Sequence, residues 1–224
     1  MKTSSAYRAQ SRASLSNRWG AAVIATLVYF VISGVVSAVF SAPANAFSGM
    51  ASEGMGGILT ILAWCITLPL SWGYSIAILD YYRNSECTDI PFGSLFDGFK
   101  QYMRVFGTTF LYTIYTFLWT LLLIVPGIIK MLSYSMTPYI LKDRPDLSYD
   151  AAIEESMRLM EGHKMAYFKL QLSYIGWIVV CILTLGIGIF WLQPWMNAAS
   201  CAFYEDLLEE DKLTQNNEVL VKGI

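Results

Sequence analysis

The chain has 224 residues, is 55% hydrophobic and only 14% charged, and carries a net charge of −2 at neutral pH. A soluble domain of this size needs far more charge to cover its surface, and nothing here offers the basic surface that nucleic acid requires. Three cysteines (Cys65, Cys181, Cys201) fall in apolar runs and Cys87 in a polar loop, without CxxC spacing or a nearby histidine, so they read as inert thiols.

Residues 1–20 hold Lys2, Arg8, Arg12 and Arg18 and no acid, with Tyr7, Leu15 and Trp19 placed to seat the segment at a membrane interface. A first span follows at 21–40. Ala44-Asn45-Ala46 resembles a signal-peptidase site, but the apolar run is too long and its basic lead too extended, so the span is expected to be retained. A small-residue loop leads to a second span at 57–79, which contains Pro69. A polar turn from Asp80 to Ile90 comes next. Pro91 opens an amphipathic segment over 91–104 with Phe92, Phe96, Phe99, Met103 and Phe106 on one stripe.

Spans three and four are expected at 105–125 and 127–141, broken at Pro126-Gly127. The fourth is short and contains Lys130, so it either crosses with Lys130 near the outer surface or re-enters. Ser148 then caps an amphipathic helix over 148–161, with Asp150 and Glu154 in its first turns and Gly162 closing it. Its apolar stripe is Tyr149, Ile153, Met157 and Met160. Its acid-rich polar side is repelled by an anionic membrane, so the stripe is expected to pack on the protein's own helices, leaving a helix able to dock a partner. Spans five and six, 165–185 and 188–208, meet at Leu185-Gly186-Ile187-Gly188, and 209–224 is a polar, frayed tail.

The sequence therefore predicts an all-α polytopic bundle: one integral membrane domain over 1–208, six helices in three hairpins, short cytoplasmic amphipathic helices, and both termini inside. That arrangement places 14 of the 15 Lys and Arg residues on the inner side, leaving only Lys130. A triplicated plan is also visible. Each hairpin follows a Gly-containing basic turn (Asn17-Arg18-Trp19-Gly20, Asp97-Gly98-Phe99-Lys100, Glu161-Gly162-His163-Lys164). Each returning helix holds one proline, Pro69, Pro138 or Pro194; in the first and third an acid follows eleven residues later, Asp80 and Glu205, while the middle unit departs, Asp143 following Pro138 by only five.

Catalytic signals are missing from the sequence. His163 is the one histidine, and no P-loop, dinucleotide or nucleophile-elbow pattern occurs, so neither an enzyme nor a cofactor is expected. The polar residues inside the spans, Ser71, Gln193, Asn197 and Ser200 above all, serve either interhelical hydrogen bonds or a polar cavity for a headgroup or small solute.

The stretches Met160-Glu161-Gly162, Leu170-Gln171-Leu172-Ser173-Tyr174-Ile175-Gly176-Trp177, Leu183-Thr184-Leu185-Gly186-Ile187-Gly188, Trp191-Leu192-Gln193-Pro194-Trp195 and Ala202-Phe203-Tyr204-Glu205-Asp206-Leu207 resemble a bacterial family of integral membrane proteins, domain of unknown function 975. Trp195 departs mildly from the tyrosine expected after Pro194. A more distant similarity is to the membrane domain of certain glycerophosphodiesterases, whose catalytic domain has no counterpart here. The resemblance implies a bacterial cytoplasmic membrane protein and brings no activity. The reading that follows is a non-enzymatic accessory or regulatory module in contact with membrane lipids and with a protein partner or a second copy. The alternative is a transporter or binder of a lipid or small solute.

Overall fold

The computed structural model describes residues 2–16, 18–46, 52–84, 90 and 92–222, and among them the only regular elements are helices. Asn17, Cys87, Pro91 and most of the polar turn before Pro91 lie outside the described residues. Among the described residues, four stretches are long and apolar enough to cross a membrane: Trp19–Phe40, Ile58–Arg83, Tyr102–Leu122 and Lys164–Leu183. The sequence predicts six. The difference lies in the returning arms of the second and third hairpins, one too short and the other diluted by polar residues.

α1 (Ser4–Ser14) leads into α2 (Trp19–Ala46), which packs along α3 (Ser52–Arg83) as the first hairpin. The amphipathic segment expected over 91–104 is not one helix. It divides into a 3-10 turn, Phe92–Phe96, and one turn of helix, α4 (Asp97–Lys100), before α5 (Tyr102–Leu122) begins. Its tight geometry follows from how closely it approaches α3. A Cβ on Gly98 would sit 2.2 Å from the Pro69 carbonyl oxygen, and one on Gly73 would sit 2.1 Å from the Leu95 carbonyl oxygen. The aromatic stripe is real but differently composed. Phe96, Phe99, Tyr102, Phe106 and Phe110 form successive ring pairs 5.5 to 6.4 Å apart, while Met103 points outward.

The second hairpin breaks at Leu123, which is extended (φ −159°), three residues earlier than the proline suggests. Pro126 thus falls in the first turn of α6 (Ile124–Tyr134), where its missing N–H disturbs no helical bond. α6 has 11 residues, and α7 (Thr137–Asp143) follows after a short turn with Pro138 in its own first turn. α8 (Tyr149–Leu159) is capped as expected: Ser148 Oγ accepts from the Ala151 N–H at 3.4 Å, and Gly162 takes φ +77° beyond its end. α9 (Lys164–Leu172), α10 (Ile175–Leu183) and α11 (Ile189–Lys222) form the third hairpin. α11 continues as helix to Lys222, and Arg158 of α8 grips its Asp211 at 2.6 Å.

The core gathers at one end of the molecule. The inner face of α11 (Ala198, Ala199, Cys201, Ala202, Phe203, Leu207) packs with Ile76, Ile78 and Leu79 of α3 and Ile140 and Leu141 of α7, all nearly inaccessible. α1 joins it. Tyr7 and Leu15, expected at a lipid interface, are instead buried in this core, with the Tyr7 ring 5.3 Å from Phe203. A polar helix with two apolar residues one face apart finds a better partner in α11 than in headgroups.

Candidate functional site

Charged residues near the ends of α3 and α7 meet one in the middle of α11. Arg83, at the end of α3, donates from Nη1 and Nη2 to both Asp143 oxygens of α7 at 2.7 and 2.6 Å and from Nε to Glu205 of α11 at 2.6 Å. Lys142 pairs with Asp80, and the Tyr204 hydroxyl donates to Asp143 at 3.1 Å. The three acids that the sequence sets after Pro69, Pro138 and Pro194 therefore share one cluster with two cations. Burial pushes the Asp143 carboxyl up, but the Arg83 fork and the Tyr204 hydroxyl outweigh it and hold the group below the usual carboxylate range. A bidentate arginine on a carboxylate is the strong form of ion pair, and here it ties together three separate hairpins. A second fork, Arg158 on Glu155 and Asp211, lowers both of those carboxyls and ties α8 to α11.

α1 is fastened to the same end. Lys2 pairs with Asp206 at 2.8 Å, and the Tyr7 hydroxyl donates to the other Asp206 oxygen at 2.9 Å. Arg8 donates to the Ser173 carbonyl at the joint between α9 and α10, and Trp195 Nε1 donates to the Arg8 carbonyl at 3.1 Å. Arg18 donates to the Tyr81 and Asn84 carbonyls and lies 3.9 Å over the Tyr81 ring.

Ser71 and Asn197 bond within their own helices, while other polar span residues, Tyr112 and Thr116, line a groove with Met131 and Tyr134. Ser71 Oγ donates to the Leu68 carbonyl, and Asn197 Nδ2 to the Gln193 carbonyl. Ser200 alone reaches across helices, 3.1 Å from the Tyr167 hydroxyl and 3.4 Å from Gln171 Nε2. It serves packing. The carbonyl freed by Pro69 is that of Cys65, and the Tyr102 hydroxyl donates to it at 3.2 Å. Among the described residues no group of His, Cys, Asp and Glu is arranged to hold a metal ion.

The expected docking stripe is largely spent inside the protein. Ile153 and Met160 are buried, Met157 is half-buried, and only Tyr149 remains open, its ring over Gly107. Lys130 lies against α8: its Nζ is 3.5 Å from Met157 Sδ and stands over the Trp119 and Tyr134 rings.

A groove that no sequence pattern announces lies where α1 meets the third hairpin. It has a volume of about 580 Å³ and is lined by Trp19, Trp177, Trp191, Trp195 and Cys181, with the Arg12 guanidinium 5.9 Å from the Trp195 ring. The tryptophans are scattered over the sequence, and only the docking of α1 on α11 brings them together.

Residues 120–211 match the model of a family described as a protein of unknown function (DUF975). The matched segment takes in the second hairpin's turn, α8 and the third hairpin through Asp211. No curated protein and no solved structure matches the chain. The apolar composition and, among the described residues, four helices of crossing length mark a helical protein able to span a membrane.

Proposed function

We propose that the chain is a multi-pass protein of the bacterial cytoplasmic membrane that acts as a non-enzymatic accessory or regulatory module. The charged end, with both termini, lies inside, in keeping with the concentration of Lys and Arg there. The observation that carries the reading is the outer face of α8. Its apolar residues and Arg158 anchor it to α5, α6 and α11, while Asp150, Glu154 and Glu161 remain exposed on a helix that cannot turn away. A rigid acidic face at the membrane surface suits a basic segment of a partner protein, whose approach it also steers.

The alternative, passage of a lipid or small solute, calls for a polar path, and Ser71, Asn197 and Ser200 are engaged within their own packing. A photo-crosslinking residue at Glu154, activated in native membranes, tests the proposal. One adduct of defined mass, abolished by D150K/E161K, is expected. Equal labelling of many proteins, or no adduct at all, would refute it.

A further inference from the structure

We propose that the groove between Arg12 and the four tryptophans binds one anionic phospholipid, with the phosphate at the Arg12 guanidinium and an acyl chain along α10 and α11. The level of the groove is the first argument. α1 carries Ser4, Ser5, Arg8, Gln10 and Arg12 and lies along α11 from Asp206, held by Lys2 and Tyr7, to Trp195, held by Arg8. So polar a helix does not lie in hydrocarbon, which puts Trp195 at the headgroup level. Exposed Trp177 and Trp191 beside it suit that depth, where indole rings concentrate.

Charge is the second argument. Lys2 is paired with Asp206, and Arg8 and Arg18 are turned to backbone carbonyls, whereas Arg12 is exposed and forms an ion pair with no acid among the described residues. Residues 1–20 contain no acid, so the mouth of the groove is positive and the remainder apolar. An anion with a long apolar tail matches both parts.

The test is native mass spectrometry of the full chain released from nanodiscs of equal phosphatidylglycerol and phosphatidylcholine. One phosphatidylglycerol per chain, several-fold enriched over phosphatidylcholine, is the expected result. Arg12→Gln should erase the enrichment with the circular dichroism unchanged, and Arg12→Lys should keep part of it. Equal retention of the two lipids by the parent chain, or enrichment that survives Arg12→Gln, overturns the site.

A second inference rests on different residues. We infer that the second and third hairpins turn inside the hydrocarbon and do not reach the far surface: Tyr102–Leu122 and Lys164–Leu183 are by length able to cross, but α5 is packed against α8 and α9 against α1, which takes up part of that length at the charged end. Their tips are exposed and, apart from Thr184, apolar: Leu121 to Val125 are 62 to 75% accessible, Leu183 77% and Leu185 93%. The nearest indoles, Trp119 and Trp191, lie about one turn below each tip. Lys130, against the acidic helix α8, lies two turns below the tip at Leu123, and Trp195 lies two turns below Gly188. Two turns rise about 10 Å, against a hydrocarbon core of about 30 Å.

The third tip is also self-sufficient in hydrogen bonds, as lipid demands. Every backbone N–H from Thr184 to Leu192 has an acceptor within the turn, including Gly186 N–H to the Cys181 carbonyl at 2.8 Å and Gly188 N–H to Thr184 Oγ1 at 3.3 Å. Spin labels at Leu122→Cys and Leu185→Cys, on a chain whose own cysteines are replaced by alanine, should be open to oxygen and shielded from a nickel chelate. Nickel access equal to that of a headgroup-level label overturns the inference. If the cysteine-free chain fails to insert, photoactivatable residues at the same two positions decide the matter: adducts to acyl chains support the turn in hydrocarbon, adducts to headgroups refute it.

Discussion

The two ends of this molecule solve opposite problems. At the charged end, α3, α7 and α11 bring three acids and two cations within bonding distance, and α1 and α8 are clamped over them by further ion pairs. At the other end the second and third hairpins present leucine, isoleucine and valine with hardly a polar atom between them. The first end is held by directional bonds between remote residues, and the second by short turns that satisfy their own backbone. Stability should therefore be sensitive to single atoms at the charged end and tolerant at the tips.

The largest break expected is Gly98→Ala. Its methyl would meet the Pro69 carbonyl, a backbone atom that has nowhere to move, and unfolding in mixed detergent should show a loss of about 3 kcal/mol. Arg83→Leu comes next. It strands Asp143 and Glu205 together, and since the site is partly open to solvent the loss should be about 2 kcal/mol, with Asp143→Asn in the same background recovering part of it.

Acid sharpens the same comparison. Asp143, Glu155 and Asp211 have depressed values in the folded chain, so their stabilisation is fully present above the unfolded values of about 4 and is lost as the pH falls through the folded ones. Thermal unfolding should therefore shift little from these groups between pH 7 and about 5 and fall steeply below about 4, and Arg83→Leu should flatten the acid limb.

At the tips, changes should be small or favourable. Leu185 holds φ +53°, where a side chain crowds its own carbonyl, so Leu185→Gly should raise stability by about 1 kcal/mol in detergent. Away from the tips, Ser200→Ala, which removes the hydrogen bonds to Tyr167 and Gln171, should cost about 1 kcal/mol, at about 0.6 for each bond. A loss above about 2 kcal/mol there would show that Ser200 belongs to something more than packing.

Much of the fold is legible from local pattern. The cap at Ser148, the turn at Gly162 and the hairpin tip at Leu185 to Gly188 follow from residue type and spacing, because capping and turn geometry involve neighbours in the chain. The acids Asp80 and Glu205 share one spacing after Pro69 and Pro194 and Asp143 does not, and nothing in that pattern says that Arg83 joins Asp143 to Glu205. Residue numbers along an isolated helix do not place Lys130 against Met157, which comes from an element 27 residues away.

By itself, the amino-acid sequence determined the class of structure. Hydrocarbon forces backbone groups into helices, and long apolar runs with few charges leave no other solution. Only the tertiary structure decided which polar groups find one another, how far each hairpin rises above the charged end, and that Arg12 and four tryptophans line one groove. Those outcomes depend on the packing of α1, α8 and α11 against one another. Contacts between remote segments are set by shape and charge across the fold and leave no periodic trace in the chain.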